Sequence, residues 1–456
     1  MRRISFRQAL GGLLALGVLS VLAPAAHAQN ISAGVHVDAD GVLKSNVVDA
    51  TGQLLQQRKA AATASLNAEV RQATEMRKVS LNRLEKAIEE SIAAGRPLND
   101  EMLHLAGLTR VQYVFYYPDT QDIVLAGPAE GWFDDPHGRP LGLESGKPVL
   151  ELQDLVTALR AFAPGKKDRP VIGCSIDPTA QGLANMQKFL ASVGRNLSSP
   201  SATQYIVKGL QSSLGLQEIT IHGVPGETHF ANVLVEADYR MKLIGIGLER
   251  PAVKIPAYTD LVNPSTVAAN AMQRWYFTPD YECVKVTEDR LAMELVGDGV
   301  KLISEDELVA AGGVRVASNV KNSAAKKFAD TFTAKYPELA AASPVYGQMR
   351  NLIDLAITAA YIQQQDLYGK AGWKMKTLGD ERLVEVENHN TPAKVQSAVN
   401  AIMRGNILMT PIGGGVELRP TDALKSQNLK SDTDGKLSDA YQKLDLKLTP
   451  GQWWWD

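Results

Sequence analysis

The sequence predicts an α+β (mixed α/β) fold: a helical N-terminal segment, a central α/β domain with helices on a sheet, and a C-terminal mixed region with a small antiparallel sheet and a long helix. Three observations point there. Between residues 52 and 94 apolar side chains recur at three- and four-residue spacing, the period of one helix face. From Val111 the pattern turns to aromatic and β-branched runs broken by turn residues, the period of strands. Strand-like and helix-like stretches then alternate, which favours a sheet with helices packed on it. A composition 45% hydrophobic and 21% charged is that of a globular chain.

The first 28 residues read as a secretory leader. Arg2, Arg3 and Arg7 precede an apolar run from Ala9 to Leu22, and the stretch closes on Ala26-His27-Ala28. Cleavage is expected after Ala28, with export to the periplasm or beyond. The run falls short of the ~20 residues of a spanning helix, and no later run of ~18 apolar residues predicts a transmembrane segment in the mature chain. Phe6 lies one position late for twin-arginine export, so the ordinary route is expected. Removing the leader takes away three arginines and no acids, moving the formal charge from −2 to −5. That balance argues against a general nucleic-acid or anionic-lipid binder.

The remaining elements follow in order. A helical region, 29–109, carries the long amphipathic run, which Gly95-Arg96-Pro97 stops. The central domain, 110–250, opens with a hairpin about Asp119-Thr120-Gln121, and residues 131–142 read as loop. A helix (150–162), a strand (171–176), helices (179–193 and 202–214), a strand (218–222) and a helix (228–244) come next. Pro251, Pro256 and Pro264 mark a linker. The C-terminal region, 266–456, shows four strand-like stretches expected to form one small sheet, then helices over 324–336 and 345–368. Gly413-Gly414-Gly415 reads as a flexible turn. Trp453-Trp454-Trp455-Asp456 is expected to pack on its own chain, since exposed tryptophan clusters favour association.

The search for chemistry assigns no catalytic, cofactor-binding or metal-binding residue. His222, Glu227 and His229 are ligand types around a Pro-Gly turn, yet their spacing fits no helical two-histidine motif, and Glu227-Thr228 also suits an ordinary helix start. Ser318 with Lys321 and Ser323 with Lys326 satisfy Ser-x-x-Lys without the partner motifs that give it meaning. Asp432-x-Asp434-Gly435 and Asp38-x-Asp40-Gly41 lack the closing glutamate of a calcium loop and read as turns. In the stretch from Val233 to Glu249, Glu236 and Arg240 lie one turn apart, as do Asp238 and Lys242. That predicts a surface helix laced with ion pairs, or else a ligand groove lined by Asp238, Arg240 and Lys242. Cys174 and Cys283 are the only cysteines. Outside the cytoplasm they form either a disulfide or two separate buried thiols. Cys174 as a nucleophile would need His222 or His137 beside it.

Several stretches together resemble an uncharacterised family of exported, mainly planctomycete bacterial proteins classed as a domain of unknown function. They are VLAGPAEGW from Val124, VIGCSIDPT from Val171, VLVEADYRMKLIGIGLE from Val233, RWYFTPDY from Arg274, SPVYGQMRNLIDLAI from Ser343, and the terminal WWWD. The resemblance implies export and a shared architecture, and supplies no activity or cofactor. Two functional expectations stand: a non-catalytic envelope or periplasmic protein that binds or assembles with an envelope protein or polymer, and a hydrolase of an envelope polymer or peptide. The second would use His222, Glu227 and His229 or the loop from Trp132 to His137. Export has a direct check: intact-mass analysis of the secreted protein is expected to show Gln29 as its first residue, and a chain retaining Met1 would overturn the leader assignment.

Overall fold

The computed structural model describes residues 35–456 apart from 39–40, 46–48, 50–51, 194–199, 264–270, 310–314, 319–321, 401, 405, 409–411 and 444–447. The leader and Ala28 lie outside the described residues. Among these residues the fold is α+β: strands form a nine-stranded sheet, a seven-stranded sheet and two small ribbons. The larger sheet runs, edge to edge, through Val35–Val37, Val42–Ser45, Lys394–Gln396, Leu216–His222, Ile172–Asp177, Ile412–Leu418, Ala271–Pro279, Val300–Val309 and Arg315–Ala317. The other runs through Leu429–Ser431, Val284–Val286, Ala292–Leu295, Tyr113–Tyr117, Asp122–Ala129, Thr74–Ser80 and Trp454–Trp455. Both sheets take strands from all three stretches 29–109, 110–250 and 266–456, so those stretches interleave in space.

Most periodic elements fall where the sequence places them. The hairpin Tyr113–Tyr117 with Asp122–Ala129 pairs antiparallel, and Gln121 supplies the positive φ its turn needs. Helices Leu152–Ala161, Ala180–Val193, Pro200–Leu214, His229–Gly245, Ser323–Ala342 and Pro344–Gln364 follow the expected spacing. The last is buried on nearly every face, because its apolar residues run all round the helix. It packs against Leu152–Ala161, His229–Gly245 and Ser323–Ala342, and His229–Gly245 in turn lies on the large sheet. No helix among the described residues is long and apolar enough to cross a membrane.

Five expectations are corrected. The run 52–94 is not one helix: helix Gln53–Ser65 and a short turn, Ala68–Arg71, precede strand Thr74–Ser80, and helix Leu81–Ala93 follows. The apolar spacing continues through the strand, but the Arg77 side chain is fully buried there, which a solvated helix face would not allow. Residues 131–142 include a ribbon, Trp132–Asp134 with Pro140–Gly142. The linker contains a short helix, Tyr258–Leu261, whose Tyr258 is buried. The four strand-like stretches of the C-terminal region divide between the sheets: Ala271–Pro279 pairs with Val300–Val309 in one, Val284–Val286 with Ala292–Leu295 in the other. Gly413-Gly414-Gly415 is no free turn but the middle of a central strand. A Cβ on Gly415 would stand 1.9 Å from the Cys174 carbonyl oxygen, and one on Gly414 (φ +121°) 1.9 Å from that of Trp275. Glycine is needed there for strand approach, not for flexibility.

The tryptophan tail packs on its own chain, as expected. Trp454–Trp455 pairs antiparallel with Thr74–Ser80, and Ser80 N donates to Trp453 O at 2.9 Å. Beneath it, Arg77 donates from Nε and Nη2 to the Asp456 carboxylate at 2.7 and 3.0 Å. The same guanidinium donates to the carbonyls of Val70, Ala106, Glu69 and Gln72, and its carbon lies 4.8 Å from the centre of the Trp454 ring. Deleting residues 453–456 leaves that buried cation without its carboxylate. Asp456 is 40% exposed and four carbonyls still hold the guanidinium, so losing the carboxylate is expected to cost about 1–3 kcal/mol, measurable as a lower urea midpoint, and an unchanged midpoint would refute the anchor.

Candidate functional site

A buried polar centre forms where two helix starts meet the helix Pro344–Gln364. Thr228 caps His229–Gly245 by accepting from Ala231 N at 3.2 Å, which places His229 in the first turn. Asp154 lies in the first turn of Leu152–Ala161, just after Glu151. His229 Nδ1 donates to Asp154 Oδ2 at 2.9 Å, and Nε2 stands 3.6 Å from Glu151 Oε1. On the other side Gln348 Nε2 lies 3.4 Å from His229 Nε2. The His389 ring is 5.1 Å from that of His229, centre to centre, and its Nε2 is 3.2 Å from Gln153 Oε1. His389 N also donates to Glu227 O, which fixes the loop against the helix start.

Burial alone would push the His229 imidazole down, but Asp154 and then Glu151 outweigh it and hold its pKa up at about 9. Burial and the neighbouring His229 charge together press His389 down to about 4. Burial raises the Glu151 carboxyl, with His229 opposing. The two histidines are thus driven apart, one an imidazolium and the other neutral at pH 7. Further along the helix His229–Gly245, Arg139 Nη2 donates to Glu236 Oε1 at 2.7 Å, both side chains being buried. Asn232 Oδ1, Glu236 Oε2 and Gln348 Oε1 are buried oxygens with no hydrogen-bond partner.

A cleft of about 690 Å³ borders this centre, with Thr157, Arg160, Lys166, Glu227, Thr228 and Glu381 among its walls. Arg160 is tied to Glu381 and donates to Leu378 O and Val384 O. His229 itself does not line the cleft and is only 7% exposed.

The residues singled out by sequence separate. His222 ends its strand exposed, and Glu227 is exposed and accepts from Asn388 Nδ2 at 3.1 Å, so neither joins His229 as a ligand. The actual neighbours Glu151, Asp154, Gln348 and His389 come from distant stretches. The one sequence signal for them is Asp154, a carboxylate inside a helix whose Leu152, Leu155, Val156 and Leu159 are buried. Ser323 opens its helix and Lys326 pairs with Asp330 on an exposed face, while Lys321 lies outside the described residues. Asp432 accepts from Leu437 N and Ser438 N, and Asp38 from Val42 N, as turn residues do. The stretch from Val233 keeps its expected one-turn ion pairs, Arg240 with Glu236 and Lys242 with Asp238. It is not a surface helix, however, nor do its charges line one groove. Asp238 and Lys242 are buried under the large sheet, where Lys242 Nζ also donates to Ile176 O and Gly414 O. Burial pushes Asp238 up to about 6 against the pull of Lys242.

Cys174 and Cys283 are both buried and free, one inside the nine-stranded sheet and the other beside the seven-stranded one. The disulfide is therefore not formed, because the two sequence stretches enter different sheets. Burial lifts the Cys174 thiol well above its ordinary range and pushes Cys283 up to about 12, which leaves both unreactive. Two thiols are expected to react with Ellman's reagent in guanidinium without reductant, and almost none in the native protein; zero in guanidinium would mean a disulfide.

Residues 174–258, from the strand bearing Cys174 through the helix that carries His229, match the family described as Protein of unknown function (DUF1598). No curated protein and no solved structure matches the chain. The likeness supports an uncharacterised domain-of-unknown-function family and assigns no chemistry to the centre.

Proposed function

We propose that this chain is an exported, non-catalytic binding protein of the cell envelope or periplasm, which takes a short peptide or polymer segment in the 690 Å³ cleft. The cleft carries the reading: it is large enough for a few residues of ligand, and its walls mix apolar surface (Ala161, Pro225, Val386) with both signs of charge. Arg382 and Glu385 stand exposed at its rim, where they can meet a ligand bearing both charges. The leader expected at residues 1–28 supports the location. The hydrolase alternative had two candidate sites, His222 with Glu227 and His229, and the loop from Trp132 to His137; the three residues of the first do not converge.

Soluble peptidoglycan fragments, which carry charged stem peptides, are the first probe. Fluorescence anisotropy is expected to show saturable binding to the mature protein. The substitutions Arg382→Glu and Glu385→Lys, both on exposed side chains, are expected to weaken it by about tenfold or more each, the equivalent of about 1.4 kcal/mol, with the melting temperature unchanged. Binding that both variants leave intact, or none with any envelope fraction, would sink the cleft as the ligand site.

A further inference from the structure

We infer that His229 Nε2 and Glu151 hold a divalent transition-metal ion of the zinc class, with the Gln348 amide oxygen turned in as a third ligand and Asp154 fixing the ring through Nδ1. This goes beyond the cleft reading and does not depend on it. Glu151, Asp154 and His229 offer one donor atom each, and these atoms lie within 4.8 Å of one another. An imidazole nitrogen, a carboxylate and an amide oxygen form a hard and borderline donor set that suits zinc and its neighbours in the series, and a second carboxylate on the far ring nitrogen is the usual orienting partner of such a histidine.

A second observation is an unmet acceptor on the side chain that faces the same centre. Gln348 is 4% exposed, and its Oε1 has no partner, while its Nε2 faces His229 Nε2 at 3.4 Å. Nitrogen thus meets nitrogen, and the amide oxygen is left without a donor in a dry interior. Turning the amide over exchanges its two ends and brings Oε1 toward the same centre. Asn232 lies one turn beyond His229 on the same helix, 3% exposed, and its Oδ1 is also unpartnered. Around His229 the unmet groups are oxygens, which call for positive charge. A protonated histidine supplies one unit of that charge, and a divalent ion supplies two while engaging all the donors at once.

The ligands come from the starts of two helices and from the middle of a third. An ion there clamps Leu152–Ala161 and His229–Gly245 onto Pro344–Gln364, and the burial of His229 makes it a structural ion. The sequence alone assigned no metal here because Glu151 and Asp154 stand some 75 positions from His229.

The experiment uses the full mature chain, stripped with chelator and then offered Zn²⁺, Co²⁺ or Mn²⁺. About one bound equivalent by elemental analysis is expected, together with visible Co²⁺ bands and a raised melting temperature. His229→Ala and Glu151→Gln are expected to weaken binding by about 100-fold or more, and Gln348→Glu to tighten it. His222→Ala, an exposed histidine outside the centre, is expected to change nothing. If His229→Ala does not fold, Glu151→Gln and Gln348→Glu decide, since both preserve side-chain size. The inference fails if no ion binds above about 0.1 equivalent, or if the bound ion is indifferent to Glu151 and Gln348. Fragment binding by the stripped chain is measured separately, so loss of the ion and loss of the cleft ligand are distinguishable.

Discussion

A helix buried on nearly every face must find most partners for its polar side chains inside the protein, and Pro344–Gln364 is such a helix. Its polar residues are consequently tethers. Gln348 faces His229. Three residues on, Asn351 Nδ2 donates to Thr109 O at 3.1 Å and to Pro148 O at 3.4 Å. After three more, Asp354 pairs with Arg110 at 2.9 Å, just before strand Tyr113–Tyr117 of the smaller sheet. At the far end Tyr361 OH donates to Arg290 O. One helix face therefore locks the polar centre, the loop before the site and the second sheet in one register. Leaving any of these groups unpaired in a dry interior costs more than the bond itself contributes.

The buried charges repeat that logic. Arg77, Lys242, the Arg139–Glu236 pair and Asp354 are each withdrawn from solvent and each bound to an opposite charge. Such pairs add little net stability compared with apolar packing, but a wrong partner leaves an uncompensated ion. They are best read as devices that select one arrangement. The glycine strand takes part in the same scheme. Without a Cβ on Gly413, Gly414 or Gly415, neighbouring backbones and Asp177 come close, and Lys242 reaches the Gly414 carbonyl from below.

The elements readable along the chain were those with a single burial environment. The hairpin around Gln121 and the helices Leu152–Ala161, His229–Gly245 and Pro344–Gln364 each show one period over their length, and the structure places them there. The run from 52 to 94 misled because apolar spacing suited to a helix persisted across a strand. The tail explains why a strand forms: Trp454–Trp455 offers Thr74–Ser80 an edge, and Asp456 neutralises Arg77, from almost 380 positions away. In the stretch from Val233, pair spacing was legible but burial was not. An ion pair one turn apart looks the same in sequence whether water or a sheet covers it.

By itself the sequence determined the α+β class, the position of most helices and strands, the one-turn ion pairs and the self-packing of the tail. These depend on local period and on the character of the residues concerned. Only the tertiary structure decided which strands share a sheet, that Cys174 and Cys283 lie apart, and that His229 meets Glu151 and Asp154 rather than His222 and Glu227. The physical reason is that period records which face of an element is buried, while the identity of what covers that face depends on contacts between distant stretches. Those contacts are selected by the fit of the whole interior, in which the buried ions are set against opposite charges.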